Sequence, residues 1–275
     1  MKLQSKSIFI SNFLIVVILF STTTSVTAQE VEDEREFDYI EGSKKGTEYW
    51  GELKEERSAC KDGSMQSPVD ISSQTVEITP TLLEVKSSYK PGNATVKNKG
   101  HDISLQWAGN AAGSIEINGT EYFLQQCHWH SPSEHTFDGR RYDLELQMVH
   151  KSLAVKAENK IVVVGVFYNI GEPDAFPSKL MGDIMSISDQ TEERNVGLIN
   201  PTEIKTGGDN SYYTFMGSLT VPPCTEGVIW IIHKTLSSVS GEQVQSLREA
   251  VHDYAEMNAR PVQPLHARKI HLHNA

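Results

Sequence analysis

His128-Trp129-His130 places two imidazoles one residue apart. In an extended strand, side chains alternate between faces, so both rings leave one face and Trp129 the other. Two convergent imidazoles are the beginning of a divalent metal site. Zinc takes such nitrogen donors and, in catalytic sites, keeps one position open. The third donor has to come from another strand, and the candidate is the segment Tyr142 to His150. There the same alternation sets Glu145, Gln147 and Val149 on one face and Leu146, Met148 and His150 on the other. The side chain offered beside the histidine pair is therefore Gln147, and His150 faces the wrong way to replace it. Glutamine can present only a neutral carbonyl oxygen, a poorer zinc donor than an imidazole nitrogen. Spacing alone is weak evidence: His271-Leu272-His273 repeats it with no partner strand carrying a third ligand, and reads as structural or solvent-facing.

Positioning these groups requires a sheet. Runs rich in β-branched and aromatic residues predict strands over 95–98, 103–107, 114–117, 122–129, 142–149, 161–168, 212–219 and 228–233. Asn118-Gly119 and Asp138-Gly139 are hairpin signals, and the second joins the histidine strand to the Gln147 strand. Helices are expected over about 175–187 and 240–252, the latter capped by Ser240 with Val244, Leu247 and Val251 on its apolar side. The tail from Asn258 to Ala275 reads as irregular. No repeat or linker divides the chain, so 37–275 reads as one domain.

Residues 1–28 read as a secretory leader: Lys2 and Lys6 precede an apolar run, and Val26-Thr27-Ala28 offers a cleavage site. The apolar run is interrupted by Ser11 and Asn12 and is short for a bilayer span, so no stable membrane anchor is expected. Residues 29–36 form an acidic arm. The formal charge of −11 disfavours a nucleic-acid partner, since a polyanion would be repelled. Three cysteines in a secreted chain suggest one disulfide and one thiol. Cys127 packs on the sheet face opposite the histidines, which leaves Cys60 with Cys224. Asn93-Ala94-Thr95 and Asn118-Gly119-Thr120 are glycosylation sequons.

Taken in order, Gln66-Ser67-Pro68-Val69-Asp70-Ile71, Asn98-Lys99-Gly100-His101, His128-Trp129-His130-Ser131-Pro132-Ser133-Glu134-His135, Glu145-Leu146-Gln147-Met148-Val149-His150, Gly217-Ser218-Leu219-Thr220-Val221-Pro222-Pro223-Cys224 and Asn258-Ala259-Arg260-Pro261 resemble the α-class carbonic anhydrases. The resemblance runs from about Phe37 to His271. It implies a mainly β fold, a central twisted, mostly antiparallel sheet of about ten strands with short flanking helices, and a cleft leading to Zn2+. It also implies reversible hydration of carbon dioxide to bicarbonate and a proton by zinc-activated water. Carried over residue by residue, His128 and His130 are the first two zinc ligands, with Gln147 in the third place. Thr220 orients the nucleophile and passes its own hydroxyl hydrogen to Glu134. Gln126 and Glu145 orient the ligands from behind, and His101 matches the proton shuttle. Val149, Leu219, Val221 and Trp230 match the substrate pocket.

Two departures stand out. Gln147 replaces a histidine, and Glu145 two residues earlier is placed to accept from its amide nitrogen and so turn the carbonyl toward the metal. Val221 removes a polar group after Thr220, which predicts a tuned bicarbonate affinity. Lys99, beside Gly100-His101, puts a cation near the shuttle. The same loss of the third histidine is a trait of dioscorin-like tuber storage proteins, which resemble secreted plant carbonic anhydrases; the starts Phe37-Asp38-Tyr39-Ile40-Glu41-Gly42 and Ser131-Pro132-Ser133-Glu134-His135 also resemble that branch. Two functions follow: a zinc lyase with activity reduced by Gln147, or a storage, defence or binding protein on the same scaffold. The resemblance places the chain in the secretory pathway, extracellular or apoplastic, with plastid or vacuole after secretory entry left open.

Overall fold

The computed structural model describes residues 36–274 apart from 80–82, 155, 156, 158, 189, 191 and 207–210. The expected leader, and all of the acidic arm but Glu36, lie outside these residues. Glu36 itself is held, by Lys54 at 2.5 Å and by the buried Arg57.

A 13-stranded sheet organises the chain. Its main path runs through 193–199, 92–98, 103–107, 120–130, 144–151, 161–170, 226–233, 212–218, 271–273 and 77–79. Most neighbours are antiparallel, but Ile161–Ile170 lies parallel to Glu226–His233 and to Ser237–Val239. The strands over 103–107 and 114–117 begin and end where the sequence pattern puts them, and the others differ by a few residues. The short strands 77–79, 85–87, 193–199 and 237–239 were not legible, because their side chains are mostly exposed or lack apolar alternation. The tail is also more regular than expected. His271–His273 is a strand paired to both Tyr212–Ser218 and Glu77–Thr79, and the His273 ring is fixed by Thr214 Oγ1 at 2.9 Å and the Leu83 N–H at 3.2 Å. Its strand pairing and ring contacts give this His-x-His a place in the sheet.

Both sheet faces are covered. One packs Cys127, Trp129, Leu146 and Met148 against Phe176, Leu180, Ile184, Val244 and Leu247 of the two longer helices. Those helices span Ala175–Ser186 and Gly241–Ala250, each starting at a capping side chain. Asp174 accepts from the Phe176 N–H at 2.7 Å, and Ser240 with Gln243 forms a reciprocal capping box. The other face carries Val149, Val163, Phe167, Leu219 and Trp230. A buried Val, Leu or Phe side chain contributes about 1.5–3 kcal/mol each, so the two apolar layers clamp the sheet that displays the histidines.

The hairpin signals behave differently. Asn118 (φ 48°) and Gly119 (φ 78°) make a two-residue turn with Ile117 opposite Thr120. Asp138 and Gly139, also at positive φ, close a small turn between Phe137 and Arg140. That turn sits inside the longer connection between the histidine strand and the next, where Thr136–Phe137 pairs with Asp70–Ile71. The two long strands still lie side by side.

Candidate metal centre

Register decides the site. In the antiparallel pair 120–130 and 144–151, His128 lies opposite Gln147 and His130 opposite Glu145. The two imidazoles are 4.9 Å apart between ring centroids and nearly perpendicular. Cys127, Trp129, Leu146 and Met148 leave the other face, into the helix-covered core. His150 also lies on that side, bonded through Nε2 to Tyr89 Oη at 2.8 Å. It is fully buried, and burial drives its pKa down from 6.5 to about 4.

The tautomers of both site histidines follow from their partners. His128 Nδ1 lies 3.0 Å from Gln126 Oε1, and His130 Nδ1 lies 2.7 Å from the Asn258 carbonyl oxygen. An oxygen of this kind only accepts, so each Nδ1 carries the hydrogen and each Nε2 carries a lone pair. His130 Nε2 is buried without a hydrogen-bond partner, and lies 3.4 Å from Glu134 Oε2.

Gln147 is 2 % exposed. Its Nε2 donates to Glu134 Oε2 at 2.9 Å and to Glu145 Oε1 at 3.1 Å. Carboxylates only accept, so this orientation is chemically forced. The carbonyl oxygen is left on the other side of the amide. Glu145 is in turn saturated by the Glu134 and His135 backbone N–H groups and by His135 Nδ1, all at 2.9 Å. Burial alone would raise its pKa, but His135 and the donors around it bring the net shift below the usual carboxylate value. Glu134 Oε1 accepts from the Arg260 backbone N–H at 3.1 Å.

Thr220 lies on the loop after Tyr212–Ser218 and is buried, and among the described residues its hydroxyl makes no hydrogen bond to Glu134. On that carboxylate the Gln147 amide donates to Oε2 and the Arg260 N–H to Oε1. The loop is held by the Cys60–Cys224 disulfide (Cα separation 5.0 Å), leaving Cys127 as a buried free thiol. Val149, Leu219 and Trp230 belong to one apolar cluster. Trp230 is wholly buried and donates its indole N–H to the Ser218 carbonyl at 3.0 Å, so it supports the wall from behind. Val221 packs instead with Phe37, Trp50 and the disulfide.

His101 does not sit as a shuttle requires. Its ring has no exposed surface and lies 4.8 Å from the Phe37 ring, with Nε2 3.5 Å from Asp102 Oδ2. An imidazole sealed beneath an aromatic side chain has no contact with bulk water, so the expected position on an open cleft wall is corrected. Lys99 is also buried, with Nζ 3.4 Å from the same Asp102 oxygen. Burial would raise the Asp102 pKa, but Lys99, His101, His128 and His130 together hold it far below the usual range.

Three residues central to this geometry were missed as site residues in the sequence. Asn258 supplies the carbonyl under His130, and its side chain bonds Ser131 N–H (2.9 Å), His101 O (2.9 Å) and Trp129 O (3.2 Å). Arg260 supplies the N–H on Glu134, while its guanidinium, its pKa lowered by burial to about 10, holds Gln66, Ser67 and Cys60. His135 anchors Glu145. Asn258, Arg260 and His135 lie in the quoted motifs, but Asn258 and Arg260 act on the site through backbone groups, which leave no side-chain signal, and His135 acts through Glu145.

Among the described residues, no three His, Cys, Asp or Glu side chains converge as a metal site. The donor set on offer is the two imidazoles, 4.9 Å apart between ring centroids, with the carbonyl oxygen of Gln147 at the strand position opposite His128. It fits a divalent cation, with the orphaned His130 Nε2 as the observation in its favour.

The family model of eukaryotic-type carbonic anhydrases matches residues 45–274. The chain belongs to that family. It is 52% identical over 268 residues to carbonic anhydrase Nec1 of Nesocodon mauritianus, covering 97% of this chain and 96% of that protein. It is 47% identical to alpha carbonic anhydrase 7 of Arabidopsis thaliana, covering 96% and 94%. Among solved structures, that of dioscorin complexed with ascorbate superposes with a TM-score of 0.82 at 40% identity, covering 87% of this chain and 98% of that one. The mainly β α-carbonic anhydrase fold expected from the motifs is the fold observed.

Proposed function

We propose that this carbonic anhydrase family member is a zinc-dependent lyase that interconverts carbon dioxide and bicarbonate, with turnover reduced by Gln147. The observation that carries the reading is the pair of imidazoles whose Nδ1 hydrogens are spoken for, beside an amide whose nitrogen is held by two carboxylates. His128 and His130 would hold the metal through Nε2, and Gln147 would contribute its carbonyl oxygen. When bound, zinc supplies a Lewis acid that makes water nucleophilic near neutral pH. Gln126 and the Asn258 carbonyl fix the ring orientations, Thr220 orients the reacting group, and Val149 and Leu219 offer carbon dioxide an apolar wall. Because His101 is sealed, proton exit is the step expected to limit turnover.

Stopped-flow hydration on metal-analysed protein, beside the Gln147→His variant, tests this reading. Restoring an imidazole should raise zinc affinity and hydration at least tenfold, on the ~10–100-fold scale of changes around metal ligands. No gain in either would count against Gln147 as ligand. His128→Ala should remove bound zinc and hydration together. The second reading, a binding or storage role, is favoured by the departure at Gln147 and by the likeness to dioscorin, whose structure is described as an ascorbate complex. Wild-type protein that takes up no zinc while Gln147→His does would select it.

A further inference from the structure

The site carboxylates and the residue between them differ in one countable respect from a three-histidine arrangement. A glutamine amide nitrogen carries two hydrogens, whereas an imidazole nitrogen carries one at most. Here each hydrogen has its own carboxylate: Gln147 Nε2 reaches Glu134 Oε2 at 2.9 Å and Glu145 Oε1 at 3.1 Å. Both acceptors are fully buried and fixed from behind, Glu145 by Glu134 N–H, His135 N–H and His135 Nδ1, and Glu134 by Arg260 N–H. A histidine at 147 could satisfy one carboxylate and would leave Glu134 to find another donor, for which the buried Thr220 hydroxyl is the candidate.

From this we infer that Glu134 is a positioning residue for Gln147: it takes the second amide hydrogen and, with Glu145, locks the carbonyl oxygen toward the imidazole pair. Two anchors on one planar amide stop its rotation about the terminal bond, which a single anchor on Glu145 would not. The metal-binding consequence rests on the zinc reading above, but the clamp itself does not. Among the described residues the Thr220 hydroxyl makes no hydrogen bond to this carboxylate.

The test uses the folded full chain and two readouts. In metal-free protein, the side-chain amide hydrogens of Gln147, assigned by selective 15N-glutamine labelling, should exchange slowly with solvent. They should lose that protection by tenfold or more in Glu134→Gln, a near-isosteric change that keeps an acceptor for Arg260, and keep it in Thr220→Val. Zinc affinity, from competition against a chelator, should fall about 10–100-fold in Glu134→Gln on the Gln147 chain, and by less than about threefold when the same change is made in Gln147→His, where the second hydrogen is gone. Equal exchange in wild type and Glu134→Gln, or loss of protection in Thr220→Val, would overturn the proposal. So would an equal loss of zinc affinity in both backgrounds, since that marks a merely structural role. If wild type binds no zinc yet its Gln147 amide is protected only when Glu134 is present, the zinc reading fails and the clamp stands.

Discussion

The chemistry of single side chains sets the behaviour of this site. The groups proposed as donors, two imidazoles and an amide carbonyl, carry no formal charge of their own, so a divalent ion bound there would keep its full charge. The proton route is the weak point. His101 is shut in by Phe37 and shares Asp102 Oδ2 with Lys99. We therefore expect His101→Ala to change hydration by less than about threefold, against the 10²–10⁴-fold typical of a working acid–base group. Added imidazole buffer should speed wild type and variant alike; a large loss in the variant, rescued only there by buffer, would return the shuttle role to His101. Asp102 itself carries a buried ion pair with Lys99. Removing one partner of such a pair strands the other, so Asp102→Ala should destabilise the fold by about 3–5 kcal/mol in urea titration.

At the scale of elements, strands position the histidines and a few glycines let the strands approach. A Cβ on Gly217 would fall on Ser67 Oγ and within 2.7 Å of Trp230 Cδ1. Gly217→Ala should cost about 1–3 kcal/mol through overpacking and loosen the loop that carries Thr220, read as a lower urea midpoint. Much of this layer was legible beforehand. The faces of 120–130 and 144–151 follow from alternation, and the Ser240 cap from its spacing to Gln243. Other parts were illegible for physical reasons. The edge strand 193–199 exposes residues on both faces, which removes the periodic signal. The burial of His101 depends on Phe37, sixty-odd positions away, a contact that no local pattern encodes. Asn258 holds His130 through a main-chain oxygen, which every residue possesses.

Across the whole molecule, acid should be felt through a group outside the site. His150 is fully buried and neutral, its pKa lowered from 6.5 to about 4 by burial. Because the unfolded chain takes up a proton there more readily, the stability His150 confers is complete above pH ~6.5. It is lost as pH falls toward 4, amounting to about 3 kcal/mol. His150→Gln should flatten the fall in urea-unfolding free energy between those pH values, and an unchanged slope would assign the effect elsewhere. Reduction of Cys60–Cys224, whose partners are 164 residues apart, should lower stability by about 2–5 kcal/mol. The Asn258 carbonyl that fixes His130 comes 128 residues later in the chain. During synthesis the histidine pair therefore emerges long before the group that aims it, and a ribosome-bound chain holds no finished site. Any loading with metal would then be an event in the life of the completed protein, governed by the ions available wherever it comes to rest.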